Sequence, residues 1–228
     1  MKVTVIIPVF NEKDTIVEVV DWVKKTNLID EIMIVDDGSV DGTREILNQY
    51  ASDAQVRVIL QNKNQGKGSA VITGIQNASG DIIIIQDADL EYDPNDYGIL
   101  LQPFRDNPDT QVVYGTRFSN QRKNEFLFMN KLANRVLTLI TNMIYFSHLT
   151  DMETCYKVFR RDLTQDMVLH ARGFELEPEL TAKLIKRKIR IQEIPISFKP
   201  RDYTQGKKIK PSDAFKAIWA LIKYRFVD

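Results

Sequence analysis

The stretch GDIIIIQDADLEYDP, residues 80–94, decides the fold of this chain. Its four consecutive isoleucines predict a strand buried on both faces, which is typical of the interior of a parallel sheet. The strand runs directly into a group of acidic residues, namely Asp87, Asp89, Glu91 and Asp93. Carboxylates this close together repel one another, so either they face water at a polar turn or a cation lies among them.

Strands and helices alternate through the first half of the chain. Apolar runs predict the strands, and apolar residues at helical spacing predict the helices. The predicted strands are 3–9, 31–37, 56–61, 82–85 and 112–118, and the predicted helices are 11–26, with Asn11 as its N-cap, 41–52 and 67–79. This alternation predicts an α/β fold with a mostly parallel sheet and right-handed crossovers.

Polar segments follow the predicted strands. They are residues 8–12, 36–39, 64–68 and 87–91. In open α/β sheets, ligands bind at the carboxyl ends of the strands. The sequence therefore predicts a binding site where these four segments converge.

The second half of the chain has a different pattern. It predicts helices over 124–147 and 176–187, a region of paired strands over 189–198, and a helix in the tail, 210–226. No repeat, low-complexity tract or linker separates the halves, so we expect one domain over 1–228, made of the halves 1–118 and 119–228.

Composition limits the classes of protein to consider. The chain has 228 residues, of which 43% are hydrophobic and 27% charged, as in a soluble globular protein. Its 31 basic and 31 acidic residues give zero formal net charge, which disfavours nucleic-acid binding. The single cysteine, Cys155, is compatible with a reducing cytoplasm. We expect no signal peptide and no transmembrane helix, because the longest apolar stretch, 136–146, is shorter than the roughly 20 residues of a span.

The acidic group after the fourth strand suits a hard divalent cation. Asp87, Asp89 and Glu91 alternate and share a face in extended structure. Oxygen ligands favour Mg²⁺ or Mn²⁺, and Mg²⁺ usually completes its shell with phosphate oxygens and water. The alternative is a solvated acidic turn.

Two further segments concern the same edge. VDDGSVDGT (35–43) places Asp36 and Asp37 at a strand end, and turn chemistry alone does not explain two adjacent aspartates there. NQGKGSA (64–70) is not a P-loop, because Gln61 stands where that motif requires a glycine. Lys67 and its flanking glycines still bring a backbone and a cation close to an anion.

The motifs, in order, resemble a known family. They are IIPVFNE, IVDDGSVDGT, NQGKGSA, QDADLEYDP, YGTRF, DMETCYKVF and EIPISFKPRDYTQGKKI. The series resembles the polyprenyl-phosphate sugar transferases of glycosyltransferase family 2, above all the dolichyl-phosphate mannose synthases. This resemblance implies a GT-A fold, Rossmann-like with helices on both faces of the sheet, a nucleotide-sugar donor, a divalent cation and a lipid-phosphate acceptor. It also implies that 1–118 is the nucleotide-sugar-binding half and 119–228 the acceptor-binding half.

The resemblance also implies roles for individual residues. Those assigned to the nucleotide sugar are Pro8, Phe10, Asn11, Glu12, Asp36, Asp37, Lys67, Asp87 and Ala88. Those assigned to the metal are Asp87, Asp89 and Glu91. Those assigned to the acceptor phosphate are Arg117, Arg201, Lys207 and Lys208, with Lys131 and Arg135 as further candidates. Asp89 and Arg117 are the expected catalytic residues.

The expected reaction is an inverting transfer of a hexose, from a donor such as GDP-mannose or UDP-glucose, to a polyprenyl phosphate. Its phosphate nucleophile is already ionised, so no general base is needed, and His148 and His170 are expected to be structural. One alternative is transfer to a saccharide or other hydroxyl, with Asp151 or Glu153 as base. Another is a sugar-nucleotide-binding module without catalysis. Arg117 has its own alternative, which is a structural pair with an acid such as Asp151.

The predicted tail helix bears on localisation. Phe215, Ile218, Trp219 and Ile222 form an apolar stripe beside Lys207, Lys208 and Lys210, which suits shallow binding to an anionic bilayer. Alternatively the stripe packs on the sheet, and helix 124–147 makes the membrane contact. We expect a peripheral protein on the cytoplasmic face of the membrane, with a membrane partner subunit as the other route to the lipid.

Overall fold

A computed structural model describes residues 1–118, 128–201 and 211–227. Its strands form one seven-stranded sheet. They are β1 (Val3–Val9), β2 (Glu31–Asp36), β3 (Val56–Leu60), β4 (Ile82–Ile85), β5 (Val112–Thr116), β6 (Lys157–Arg160) and β7 (Ile191–Pro195). All five strands predicted in the first half of the chain are therefore present.

The order of strands in the sheet is β3-β2-β1-β4-β6-β5-β7. β1 runs parallel to β2 and β4, β2 to β3, and β5 to β7, whereas β6 is antiparallel to both of its neighbours. The sheet is thus mostly parallel, as predicted. The four isoleucines of β4 are each no more than 2% exposed, which confirms that this strand lies in the interior.

Helices complete the α/β architecture. They are α1 (Ile16–Lys25), α2 (Thr43–Leu47), α3 (Lys67–Asn77), α4 (Tyr97–Asp106), α5 (Phe128–Tyr145), α6 (Leu176–Lys186) and α7 (Pro211–Phe226). The main hydrophobic core joins the sheet to buried residues of α1, α3, α4 and α6. α3 lies especially close to β1, since a Cβ added at Gly74 would be 2.4 Å from a methyl carbon of Ile6. This close packing fixes the position of the first turn of α3 at the carboxyl edge of the sheet.

Several local predictions were wrong or incomplete. The sequence did not predict α4 or β6, and β6 separates β4 from β5 in the sheet. The region 189–198 contains one strand, β7, and an isolated bridge between Tyr92 and Phe198. Asn11 does not cap α1, which begins at Ile16 with Thr15 at the N-cap.

A second hydrophobic cluster lies between α5, α6 and α7. The residues of α7 that it buries are Ala217, Ala220, Leu221 and Tyr224. Of the predicted stripe, Ile218 packs against this cluster, but Phe215, Trp219 and Ile222 are exposed, by 77%, 67% and 42%. The alternative in which the whole stripe packs on the sheet is therefore wrong. The other face of α7 makes the packing contacts.

α5 also presents apolar side chains outward. Those that are exposed are Leu132, Val136, Leu139 and Met143, and Phe146 follows the helix. Among the described residues, no helix combines the length and the apolar character that a bilayer span requires.

Candidate active site

Side chains and backbone from the four predicted segments meet at the carboxyl edge of the sheet. The backbone N–H of Asn11 donates to Ser39 Oγ at 2.9 Å, and Thr15 Oγ1 donates to the carbonyl of Ala88 at 2.6 Å. Lys67 Nζ lies 2.8 Å from Asp87 Oδ1. The predicted convergence of these segments is confirmed.

The carboxylate of Asp36 is occupied by hydrogen bonds from neighbouring residues. It is fully buried, and its carboxylate accepts hydrogen bonds from the backbone N–H groups of Gly38 and Ser39. Arg44 Nε donates to it at 2.7 Å, and the same guanidinium donates to the carbonyl of Gln61. The carboxylate therefore closes the loop after β2 and ties α2 to the end of β3.

Asp37 fixes the neighbouring loop. Its two oxygens accept the backbone N–H groups of Gln65 and Gly66, each at 2.7 Å. The residue is 2% exposed. Burial raises the pKa of Asp37, although both hydrogen bonds oppose that shift. Both oxygens already serve the segment that leads into α3.

The aspartates after β4 have partners of another kind. Asp87 faces the ammonium of Lys67, and Asp89 Oδ2 lies 2.9 Å from the guanidinium of Arg201. Burial tends to raise the pKa of Asp87, but the charge and hydrogen bond of Lys67, with smaller contributions from Cys155 and Arg201, together outweigh it, so this pKa lies below its ordinary value. The pKa of Asp89 is raised to about 7, by burial first and then by the charges of Asp87 and Glu91. The site therefore holds more negative charge than its protein cations neutralise.

Glu91 does not complete the predicted set of three metal ligands. Its Oε1 accepts the backbone N–H of Arg201 at 2.6 Å, and that hydrogen bond directs the carboxylate toward the backbone of Arg201. Among the residues that the structure describes, no three acidic, histidine or cysteine side chains are gathered so as to hold a metal ion. Asp87 and Asp89 thus offer two protein ligands, and a cation here would need others.

Arg201 connects the acidic group to the first loop. Besides Asp89, its guanidinium contacts both oxygens of Glu12 at 3.2 Å. The preceding segment is held in register by the backbone bond from Lys199 to the carbonyl of Glu91, at 2.9 Å. A cation from the far end of the chain therefore lies among the carboxylates, and the acceptor-phosphate role assigned to this arginine stays a prediction.

The residues assigned to the nucleotide line the same edge. Asn11 adopts φ 51° and accepts the backbone N–H of Val40 with its side-chain oxygen, at 2.9 Å. Pro8 and Phe10 are partly exposed, and Ala88 is buried at 4% exposure. Their assignment to the nucleotide stays a prediction.

Glu177 was not predicted, although it belongs to the site. Its Oε1 lies 3.1 Å from Lys67 Nζ, and its other oxygen is buried with no hydrogen-bond partner among the described residues. It lies in the first turn of α6. The segment GFELEPE carries three glutamates, and nothing in its local pattern shows which of them reaches another element.

Arg117 forms the structural pair named as its alternative. Its guanidinium donates to both oxygens of Asp151 at 2.7 Å, and its backbone N–H donates to the same carboxylate. The guanidinium carbon also lies 5.0 Å from the ring centre of Phe198. Arg117 is 7% exposed and Asp151 is fully buried. This geometry favours a structural role, and the acceptor-phosphate role stays a prediction.

The other acceptor-phosphate candidates are more scattered. Arg135 is exposed on α5, and its guanidinium carbon lies 5.9 Å from the ring centre of Phe118, which also contacts Arg117. Lys131 is partly exposed one turn earlier. Lys207 and Lys208, together with Lys210, lie outside the described residues.

A buried polar cluster interacts electrostatically with Glu177. Lys157 is 1% exposed and donates to the carbonyls of Met152 and Thr154. Burial, which the neighbouring acids oppose, lowers the pKa of Lys157 to about 8. Burial and then the charge of Glu177 raise the pKa of Glu153 to about 8. The histidines are elsewhere: His148 and His170 are exposed, and His170 donates its backbone N–H to Glu179.

Residues 4–168 match the family described as glycosyl transferase family 2. The chain belongs to this family. The match covers the sheet from β1 to β6 and both pairs of aspartates. The family resemblance drawn from the motifs is confirmed.

Individual members of glycosyl transferase family 2 are similar over most of this chain. A dolichol-phosphate mannosyltransferase from Pyrococcus furiosus is 30% identical over 233 residues, which cover 98% of this chain and 64% of that protein. An undecaprenyl-phosphate 4-deoxy-4-formamido-L-arabinose transferase from Yersinia pestis is 29% identical over 212 residues, which cover 90% of this chain and 62% of that protein. The chain thus spans less than two thirds of the length of these relatives.

The fold of this family 2 chain is also found in solved structures. Glucosyl-3-phosphoglycerate synthase from Mycobacterium tuberculosis, in complex with Mn²⁺, UDP and glucosyl-3-phosphoglycerate, superimposes with a TM-score of 0.77 at 19% identity. The superposition covers 100% of this chain and 81% of that one. The same protein has been solved with Mg²⁺ and UDP. The predicted GT-A fold is confirmed.

Proposed function

We propose that this chain catalyses the metal-dependent, inverting transfer of a hexose from a nucleotide sugar to a polyprenyl phosphate. The observation that carries the proposal is the pair Asp87 and Asp89 at the end of β4, where each carboxylate contacts a side-chain cation. Both relatives described above are named as transferases that act on a polyprenyl phosphate. The donor is of the GDP-mannose or UDP-glucose type.

The residues present suit Mg²⁺ or Mn²⁺. Asp87 and Asp89 are hard oxygen ligands, and the pKa of Asp89, raised to about 7 by burial and by the charges of Asp87 and Glu91, reflects a deficit of positive charge. A metal ion held there would take its remaining ligands from oxygens of the donor diphosphate and from water. When bound, the metal acts as a Lewis acid that stabilises the leaving nucleoside diphosphate.

The proposed displacement requires no general base. An ionised phosphate oxygen of the lipid forms a bond to the anomeric carbon, and the bond from that carbon to the diphosphate oxygen breaks with its electron pair. The protein residues bind and orient the two substrates. Arg201 contacts Asp89, and a metal ion held by Asp89 would compete for that carboxylate, which would leave Arg201 available to pair with phosphate oxygens in bidentate fashion.

A hydroxyl acceptor fits the site less well. A hydroxyl must lose its proton to a nearby base that is itself unprotonated. Asp151 is fully buried in its pair with Arg117. The pKa of Glu153 is raised to about 8 by burial and by Glu177, so this carboxyl is largely protonated at neutral pH. Neither candidate is well placed as a base.

A donor and acceptor screen tests the proposal. The chain is incubated with GDP-mannose, UDP-glucose and other sugar nucleotides, a short polyprenyl phosphate, and Mg²⁺ or Mn²⁺. We expect a sugar-phosphate lipid product with at least one donor, and none in excess EDTA. Transfer to a saccharide but not to the lipid would establish the hydroxyl alternative, and nucleotide binding without turnover would establish a non-catalytic module.

We further propose that the protein binds the cytoplasmic face of a membrane peripherally, where the lipid acceptor lies. Phe215 and Trp219 on α7 are exposed, and so is the neighbouring Lys216. An amphipathic helix with exposed aromatic and basic residues is suited to shallow insertion into anionic lipid.

Sedimentation with phosphatidylglycerol liposomes at low salt tests this location. We expect the wild-type chain to sediment and the double variant Phe215→Ser, Trp219→Ser to remain in solution. Val168→Ser is the matched control, because Val168 is 67% exposed but lies outside α5 and α7. If the wild-type chain does not sediment, the acceptor is delivered by another route, such as a membrane partner subunit.

A further inference from the structure

Lys67 is shared between two carboxylates. Its Nζ lies 2.8 Å from Asp87 Oδ1 and 3.1 Å from Glu177 Oε1. The side chains of all three are largely buried, with 15%, 19% and 7% exposed for Lys67, Asp87 and Glu177. We call Asp87, Lys67 and Glu177 the Lys67 bridge. It joins the end of β4 to the first turns of α3 and α6.

Backbone packing holds Lys67 in this position. The segment 171–173 lies against the residues that flank it, since a Cβ added at Gly66 or Gly68 would lie 2.3 Å or 2.7 Å from a backbone carbonyl oxygen of that segment. Ser69 donates its backbone N–H to the carbonyl of Arg172 at 3.0 Å. The ring of Phe174 lies 5.8 Å from the ammonium. The backbone at Lys67 is therefore held in place, and from this position the side chain reaches both carboxylates.

Lys67 and Glu177 have opposite effects on how strongly the carboxylate of Asp87 attracts a metal cation. An ammonium beside Asp87 reduces the attraction of that carboxylate for any other cation, and at these distances such charges interact strongly. Glu177 offsets part of the positive charge that acts on Asp87, because the ammonium contacts both carboxylates. Asp87 is therefore left with more negative charge than a simple pair with Lys67 would leave it.

We propose that Glu177 is a positioning residue that sets the metal affinity of the site through Lys67. The inference rests on the proposed metal-dependent function, in which Asp87 is a metal ligand. Glu177 does not contact the metal. It draws the ammonium of Lys67 toward α6, and it thereby leaves Asp87 available to the cation.

The proposal predicts opposite signs for two substitutions. Glu177→Gln retains an acceptor for Lys67 but removes the charge, so Asp87 keeps the whole ammonium and Mn²⁺ binding weakens by about tenfold or more, the range typical of partners behind metal ligands. Lys67→Met removes the ammonium, and Mn²⁺ binds more tightly than in the wild type. In the Lys67→Met background, Glu177→Gln should have little further effect, since the residue through which it acts is gone.

The measurement is the binding of Mn²⁺ to the full chain in the presence of GDP and, in parallel, UDP, followed by the electron paramagnetic resonance signal of free Mn²⁺. Glu31→Gln is the matched control: Glu31 is buried and hydrogen-bonded to Thr4 and Ser79, but it lies at the amino end of β2, away from the site. It should leave Mn²⁺ affinity unchanged. Glu177→Asp, which keeps the charge, should restore most of the affinity lost in Glu177→Gln.

Thermal melting of each variant separates folding from binding, and Lys67→Gln replaces Lys67→Met if the latter does not fold. The inference is overturned if Glu177→Gln and the Lys67 variant weaken Mn²⁺ binding alike, or if Glu177→Gln acts equally in both backgrounds. A wild-type chain that binds no Mn²⁺ with either nucleotide would instead refute the proposed metal-dependent function. The two failures are thus distinguishable.

Discussion

Two pairs of aspartates lie at the ends of β2 and β4, the strands that flank β1, and they are used differently. Asp36 and Asp37 are held mainly by backbone N–H groups, with one arginine. Asp87 and Asp89 contact the cationic side chains of Lys67 and Arg201. Backbone donors are fixed by the fold, whereas a long side chain can turn away. The first pair therefore stabilises the loops, and the second can exchange a protein cation for a metal ion.

The largest expected effect is a loss of transfer activity when an aspartate of the second pair is substituted. Asp89→Asn removes charge from the proposed metal site, and transfer should fall by about a thousandfold, as when a group that stabilises the transition state is lost. The melting temperature should hold or rise, because the substitution relieves repulsion from Asp87 and Glu91. Asp93→Asn, a neighbouring acid that accepts the backbone N–H of Asn95, is the control and should stay active. Full activity of Asp89→Asn, or of the wild type in EDTA, would refute the metal site.

A second substitution tests whether Arg117, like Asp36 and Asp37, stabilises the fold. Arg117→Ala leaves Asp151 as an unpaired charge in the interior, so we expect a loss of about 3 kcal/mol in the free energy of unfolding. Urea denaturation measures it, with Arg160→Ala as control, because the guanidinium of Arg160 donates to the uncharged backbone carbonyls of Pro108 and Thr110. An unchanged unfolding curve for Arg117→Ala, with nucleotide binding intact by calorimetry and transfer lost, would establish the acceptor-phosphate role instead.

The third prediction concerns the first pair directly. Asp37→Asn has one carboxamide oxygen for two backbone donors, so its NH₂ group must face the N–H of Gln65 or Gly66. We expect a loss of about 2 kcal/mol in the free energy of unfolding, the cost of one unsatisfied buried donor. Asp109→Asn, at an exposed position, should change nothing. If Asp37→Asn unfolds like the wild type but no longer binds nucleotide, Asp37 belongs functionally with the second pair.

The last prediction concerns the pH dependence of stability. In the metal-free protein the pKa of Asp89 is raised from 3.8 to about 7, by burial and then by Asp87 and Glu91. A carboxyl with a raised pKa in the folded state binds its proton more tightly there, so it stabilises the fold at low pH. That contribution is lost as the pH rises from about 4 to about 7. Unfolding free energies in EDTA, wild type minus Asp89→Asn, should fall across this window and then level off. A difference that rises with pH would contradict the assignment.

The sequence predicted the carboxyl edge well because the signals there are local. A run of isoleucines followed by Asp87 and Asp89 gives both the strand and the end at which the acids lie. β6 was missed because only four residues form it and Lys157 is among them. That lysine is buried because its ammonium reaches the carbonyls of Met152 and Thr154. Such compensation leaves no trace in a hydrophobic pattern.

Partners that are distant in sequence were beyond prediction. Arg201 reaches Asp89 across 112 positions, and Glu177 reaches Lys67 from a different helix. The family motifs placed Arg201 near phosphates, but not in contact with Glu12 and Asp89. No motif indicated Glu177.

The sequence by itself determined the alternation of strands and helices, the parallel centre of the sheet and the edge at which acidic and basic residues gather. It could do so because strand burial and turn chemistry are encoded in neighbouring residues. Only the tertiary structure decided which carboxylates are locked by backbone donors and which contact movable cations. It also decided that α7 buries its alanine, leucine and tyrosine face and leaves Phe215 and Trp219 exposed. Those outcomes depend on which elements pack together, and the free energy of each buried charge is set by partners that folding brings from far along the chain.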